Sequence, residues 1–297
     1  MRFLIRICDN GEHATAELQT DFALSCSNVP PSTNAPQALR TAIKKIRSDF
    51  LVNHPKLRLG ATLWLAAMIG VLIVTFAVIP QLHARTGSRL PLWIAIGAST
   101  VQSAVMVALA VWAGVALSTK LGFGAPAIEA WLSGGDIWAA LKPQLLSAVM
   151  VGCIVGVLLV VLTKVAPAEI AKIGQAFDIP LAAKLLYGGV TEEVIMRWGL
   201  MSAFVWLPWR LIQRRNGLPR DKYVIGAVVC AGLLFGAGHL PAVVAMGVPL
   251  TAPVVAYIIF GNAIPGMLFG ALFWRKGLEA SIIAHALAHA VSVAAGI

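Results

Sequence analysis

Residues Leu185–Leu207 read LLYGGVTEEVIMRWGLMSAFVWL. The run is long and apolar enough to cross a membrane as a helix, since about 20 such residues span the ~30 Å hydrocarbon core, yet its middle carries Glu192, Glu193 and Arg197. A charge near the bilayer centre is unfavourable by about 3 kcal/mol on insertion scales, so ionisable groups there face the protein interior, pair with one another or line a cavity. On a helix Glu193 and Arg197 stand at i and i+4 with the acid N-terminal, the better orientation for an ion pair. Glu192 points roughly 100° away from Glu193, so it needs a different neighbour.

The surroundings of this stretch predict an all-α, multispanning transmembrane bundle. Of the 297 residues 59% are hydrophobic and only 12% charged, against about 25% charged in soluble domains. The apolar runs are continuous and do not alternate, which excludes a membrane β-barrel. A net charge of +10 would suggest nucleic acid in a soluble protein. Here the basic residues flank the spans, which is what orientation in a bilayer requires, so lipid is the expected partner and nucleic acid is not. Cys153 and Cys230 fall inside spans, and Cys8 and Cys26 lack CxxC spacing, so neither a disulfide framework nor a zinc knuckle follows.

Two regions are expected. Residues 1–58 hold eight of the 23 Lys and Arg, and the opening MRFLIRIC is too short an apolar core for a cleavable signal, which predicts a cytoplasmic N-terminal segment. Within it VPPSTNAP (29–36) reads as an extended linker. Leu39, Ile43, Ile46 and Phe50, interleaved with Arg40, Lys44, Lys45 and Arg47, read as a basic amphipathic helix on the membrane surface or as a solvated lead-in. Residues 59–297 form the transmembrane region, with spans at 59–80, 91–118, 143–163, 181–208, 223–240, 251–273 and 278–296. The count becomes eight if Gly261, Pro265 and Gly266 split the sixth; one helix is preferred because Pro and Gly are tolerated inside membrane helices. Trp131 and Trp138 in loop 119–142, and Ile170, Ile173 and Phe177 in loop 164–180, suggest interfacial helices. The loop with Arg210, Arg214, Arg215, Arg220 and Lys222 belongs inside with the N-terminus. Gly232-x-x-x-Gly236 and Gly266-x-x-x-Gly270 are spacings that let helix backbones approach.

Three histidines lie in spans: His239, His285 and His289. The last two are i and i+4, one above the other on a helix face, the spacing with which HExxH presents two nitrogens. No Glu lies between them, so a carboxylate must come from another span, and Glu192 or Glu193 is the supplier. The plain alternative is that these polar groups are interhelical glue, contributing about 0.6 to 2 kcal/mol each. Two acids, one Arg and three His confined to three spans of a nearly charge-free core favour a site. Desolvated acid and imidazole groups together are how a general base is made to work near neutral pH.

Glu192-Glu193-x-x-x-Arg197, Phe235-x-x-x-His239 and His285-x-x-x-His289, in this order over about residues 181–290, resemble the three motifs of the CPBP family of intramembrane proteases. That family holds the type II CAAX prenyl endopeptidases and bacteriocin-processing and self-immunity proteins. The resemblance implies a glutamate-dependent endopeptidase acting on a membrane-associated or lipidated peptide. It implies Glu192 as the base that activates water with help from His239, Glu193 and Arg197 as supports, and His285 and His289 as oxyanion donors. Such donors lower a barrier by about 3 to 4 kcal/mol each. The family usually has Asn or a similar small polar residue where this chain has His289. A histidine there can also bind metal, so the implied alternative is Zn²⁺ held by Glu192, His239, His285 and His289. Two other functions compete: a proton- or metal-coupled transporter, since buried Glu and His also mark ion pathways, and a non-catalytic scaffold or immunity protein. Transporters commonly show inverted repeats, and none is visible between 59–163 and 181–296. Counting ~1.5 Å per residue puts Glu192 and His239 about 25 Å from the inner ends of their helices and His285 only about 10 to 15 Å in, so convergence requires tilt or irregular winding.

Overall fold

The computed structural model describes residues 54–87, 89–174 and 179–296. The expected linker and amphipathic helix of the N-terminal segment, and Phe177, lie outside the described residues. Everything regular among the described residues is helical. The elements are α1 (Pro55–Ala77), α2 (Ile79–Thr86), α3 (Leu92–Leu121), α4 (Pro126–Ser133), α5 (Ile137–Lys164), α6 (Ala168–Gly174), α7 (181–211), α8 (Asp221–Gly238), α9 (Leu240–Ala245), α10 (Ala252–Lys276) and α11 (Leu278–Ala294). Five stretches are long and apolar enough to cross a bilayer on length and composition alone: Pro55–Thr86, Leu92–Leu121, Ile137–Lys164, Asp221–Ala245 and Ala252–Lys276. The chain is an integral, multi-pass membrane protein. The rods α7 and α11 occupy the other two expected spans. The sixth span is one helix with Pro265 inside it, and the two loops suspected of helicity contain α4 and α6.

Local signals place the ends. Asp136 caps α5 by accepting a hydrogen bond from the Ala139 amide at 3.0 Å, as N-cap carboxylates do. Gly122 and Gly134 close α3 and α4 in the left-handed conformation, the usual glycine stop.

The bundle is built around α7. Its first half packs on α1 and α11, its middle on α3, and α8 and α10 close the remaining side. Small residues face inward where helices meet, including Ala148, Ala280, Ala284 and Ala288 between α5 and α11. Large apolar side chains such as Leu65, Phe76, Trp112, Leu146 and Ile154 point outward. That is the arrangement expected where lipid offers no hydrophobic drive and helices associate through close packing. The glycine spacing in α8 works this way: a methyl at Gly232 would sit 3.0 Å from the Ala263 carbonyl oxygen, and one at Gly236 would run into the Ile259 carbonyl. Hydrogen bonds add cross-ties, from Thr191 Oγ1 to the Ala67 carbonyl at 2.7 Å and from Tyr257 to the Leu162 carbonyl at 3.1 Å. Free Cys153 and Cys230 are exposed on the outer surface.

The tightest approach is α3 against α7, where the fully buried Trp198 indole fills the space a side chain at Gly114 would need. Gly114→Ala is therefore expected to destabilise the bundle by about 1 to 3 kcal/mol, the usual penalty of overpacking. A lowered thermal denaturation midpoint in detergent checks this, and an unchanged midpoint would show that Trp198 can move aside.

Candidate active site

The stretch that opened the sequence reading does not wind as an ordinary α-helix. After one α-helical turn at Leu181–Ala183, Lys184–Glu192 and Val194–Met201 are π-helical, and the α-helix resumes at Ser202–Leu211. A π-helix bonds i to i+5 and is rare, appearing mostly at functional sites. The Gly188–Gly189 pair and β-branched Val190 and Thr191 weaken the α-helix here, a signal present in the sequence but too unspecific to name the winding. The wider coil advances less per residue than an α-helix. It is one way Glu192 and His285, put at different depths by residue counting, come within 3.9 Å of each other.

Glu193 is fully buried and does three things at once. Its Oε2 pairs with Arg197 Nε at 3.2 Å, as the i, i+4 spacing predicts. Its Oε1 accepts a hydrogen bond from His285 Nδ1 at 2.8 Å, across from α11. Through Arg197, whose Nη2 donates to the Gly266 carbonyl at 3.0 Å, it also ties α7 to α10. The Arg197 guanidinium lies 5.1 Å from the Phe235 ring centroid and 5.7 Å from that of Phe269, a cation–π cradle for a charge held out of water. A buried ion pair of this kind adds order more than net stability.

His285 is thereby fixed from every side. A carboxylate can only accept, so Nδ1 carries the hydrogen and Nε2 is left for the cavity that His285 lines. The ring stacks on Phe269 at 4.5 Å and on His289 at 5.0 Å between centroids, with Phe235 edge-on at 6.2 Å. His239, at the end of α8, is set by the Phe-x-x-x-His spacing: its Nδ1 donates to the Phe235 carbonyl at 2.8 Å and its ring meets the Phe235 ring edge-on at 4.8 Å. Its Nε2 is left as an acceptor.

Glu192 differs from its neighbour in the way the sequence demands. Its side chain is 18% exposed where that of Glu193 is 0%. It opens into a cavity of about 110 Å³ with His239, His285 and His289 on its walls. Glu192, His239 and His285 therefore come from α7, α8 and α11 to one space, with room for a water, whose share of liquid volume is ~30 Å³. Sequence reasoning missed two residues there. Asn262 lines the cavity from α10 and spends one amide hydrogen on the Ile258 carbonyl at 2.8 Å; a lone Asn in an apolar run gave no pattern to find it by. Phe269, the stacking partner of His285, looked like ordinary core.

A family model, type II CAAX prenyl endopeptidase Rce1-like, matches residues 174–291. This segment is similar to that family. No curated protein and no solved structure matches the chain. The Rce1-like segment runs from the end of α6 through most of α11 and holds every polar residue of the cavity. That is the region in which the chain is similar to an intramembrane endopeptidase of the CAAX type. Helices α1 to α5 lie ahead of it, yet Val155 and Leu159 of α5 complete the cavity wall.

The zinc alternative does not fit the residues as placed. Among the described residues no three His, Cys, Asp or Glu side chains stand together as a ligand set for one ion. Nδ1 of His285 is committed to Glu193 and Nδ1 of His239 to a backbone carbonyl, which leaves only their Nε2 atoms for the cavity, and no step below passes through a metal.

Proposed function

We propose that this protease hydrolyses a peptide bond of a membrane-associated or lipidated peptide with water activated by Glu192. The observation that carries the reading is the division of labour between adjacent acids. Glu193 is consumed by Arg197 and His285, and Glu192 faces the cavity beside two imidazole nitrogens. In this reading Glu192 takes a proton from the attacking water, and Nε2 of His239, an acceptor, shares the proton and passes it toward the leaving amine. In this reading His285 carries a hydrogen on both ring nitrogens, Nδ1–H held by Glu193 and Nε2–H directed at the carbonyl oxygen as negative charge develops, with His289 stacked behind it. A donor fixed in a water-poor site needs no reorganisation at the moment of reaction. Glu193 and Arg197 are positioning residues.

Asn262 joins the substrate side. With one amide hydrogen bonded to Ile258, it presents its other N–H and its carbonyl, a pattern complementary to a peptide group. Asn262→Ala is expected to slow cleavage about three- to tenfold, the share of one or two neutral hydrogen bonds, chiefly through KM. A loss carried entirely by kcat would instead put the amide at the oxyanion.

Reconstituted protein should cut either a prenylated peptide or an unmodified apolar membrane peptide, with products read by mass spectrometry. Intact peptides in both reactions would remove the reading. The Lys/Arg asymmetry supports a cytoplasmic Arg210–Lys222 end in a bacterial inner membrane, with residues 1–58 as a basic cytoplasmic segment.

A further inference from the structure

A second concavity lies away from the catalytic chamber, on the lipid-facing wall between the last turns of α7 and the first two-thirds of α8. It is an open groove of about 560 Å³. Phe204 and Leu207 of α7 form one wall, and Leu233 and Leu234 of α8 form the far end. Its floor is bare backbone at Gly226, where an added methyl group would meet nothing within 4 Å. One charged side chain interrupts this lining. Lys222 stands at the start of α8 with its ammonium 5.2 Å from the Tyr223 ring centroid. The adjacent Asp221 is drawn to Arg275 at 3.9 Å, and among the described residues no carboxylate pairs with Lys222.

An apolar trough as long as several helical turns, with one unneutralised cation where α8 begins, is complementary to a molecule with a hydrocarbon tail and an anionic head. We propose that the groove binds one anionic phospholipid of the bilayer, an acyl chain lying over Gly226 and the phosphate on Lys222. Depth agrees with charge. Lys222 lies at the end of the bundle whose loop carries Arg210, Arg214, Arg215 and Arg220. The Lys/Arg asymmetry assigns that end to the cytoplasmic leaflet, where anionic lipids gather and each nearby Lys or Arg adds to their attraction. A long Lys side chain reaches from the apolar wall to headgroup level. The site is separate from the hydrolytic chamber and does not depend on the protease reading.

Native mass spectrometry tests it, on the full chain extracted from bilayers of equal phosphatidylglycerol and phosphatidylcholine. The wild type should retain one phosphatidylglycerol, preferred about fivefold over phosphatidylcholine, the selectivity one basic residue provides. Lys222→Gln should bring that ratio to about one, and Gly226→Trp, filling open space, should remove the retained molecule whichever its headgroup. Equal retention of both lipids by the wild type would overturn the proposal. So would undiminished retention in Gly226→Trp, or displacement of the lipid by a prenylated peptide, which would make the groove a site for the substrate's tail.

Discussion

Glu192→Gln should reduce cleavage of a membrane peptide by about 10²- to 10⁴-fold, the span that positioned general acid–base groups contribute, while the protein stays folded. The amide keeps the shape of the side chain but cannot take a proton from water. Stability should barely change, because the one ion-pair contact Glu192 makes across helices, to His285 Nε2, is long at 3.9 Å. Glu193→Gln is the informative contrast. It weakens the bonds to both Arg197 and His285, so it should lower activity and the denaturation midpoint together. Parallel kinetics and thermal melts of the two variants decide the matter. Full activity in Glu192→Gln would remove the proposed chemistry, and full activity with lost stability in Glu193→Gln alone would assign that acid a purely architectural task.

The largest stability effect should come from Arg197→Ala. The substitution leaves the Glu193 carboxylate fully buried with only His285 and the Ser281 hydroxyl for company, and removing one partner of a buried pair typically costs about 3 to 5 kcal/mol. It also empties the cradle between Phe235 and Phe269 and frees the Gly266 carbonyl, so the contact between α7 and α10 loosens. Chemical denaturation in mixed micelles should register the whole loss. A change of less than about 1 kcal/mol would mean that water reaches Glu193 and that the pair is not sealed inside the bundle.

Much of this was legible before the fold was known. A pair of acids in an apolar run had to find partners, and the i, i+4 placement of Arg197 named the partner of Glu193 correctly. Hydropathy located the rods to within a few residues because continuous apolar runs leave a bilayer-spanning chain few other options. The histidines announced themselves by being the only ones inside spans.

What stayed hidden depends on contacts between distant segments. His285 was expected to meet Glu192, and it does, but its short bond goes to Glu193, because Nδ1 and Nε2 point to opposite sides of the ring and the buried acid takes the first. Asn262 could not be read as a cavity residue, since nothing along α10 says which face meets α7 and α11. The π winding of α7 escaped a reading that assumes ~3.6 residues per turn, although the Gly188–Gly189 pair was in plain view. Those glycines also admit α11: a methyl on Gly188 would lie 2.7 Å from His289 Nε2, and one on Gly189 would lie 2.9 Å from the Ala286 side chain.

The last rod has a consequence for the lipid around it. α11 has 17 residues, about 25 Å at ~1.5 Å each, which is shorter than the ~30 Å hydrocarbon core. No α11 side chain before Ala294 is exposed, so lipid reaches the rod only along its half-buried face, where a bilayer meeting so short a segment thins, and His285 sits two turns from its start. Hydrophobic mismatch there draws the headgroup boundary toward His285 and His289, so under the proposed chemistry bilayer thickness should set how readily water and an extended peptide reach Glu192.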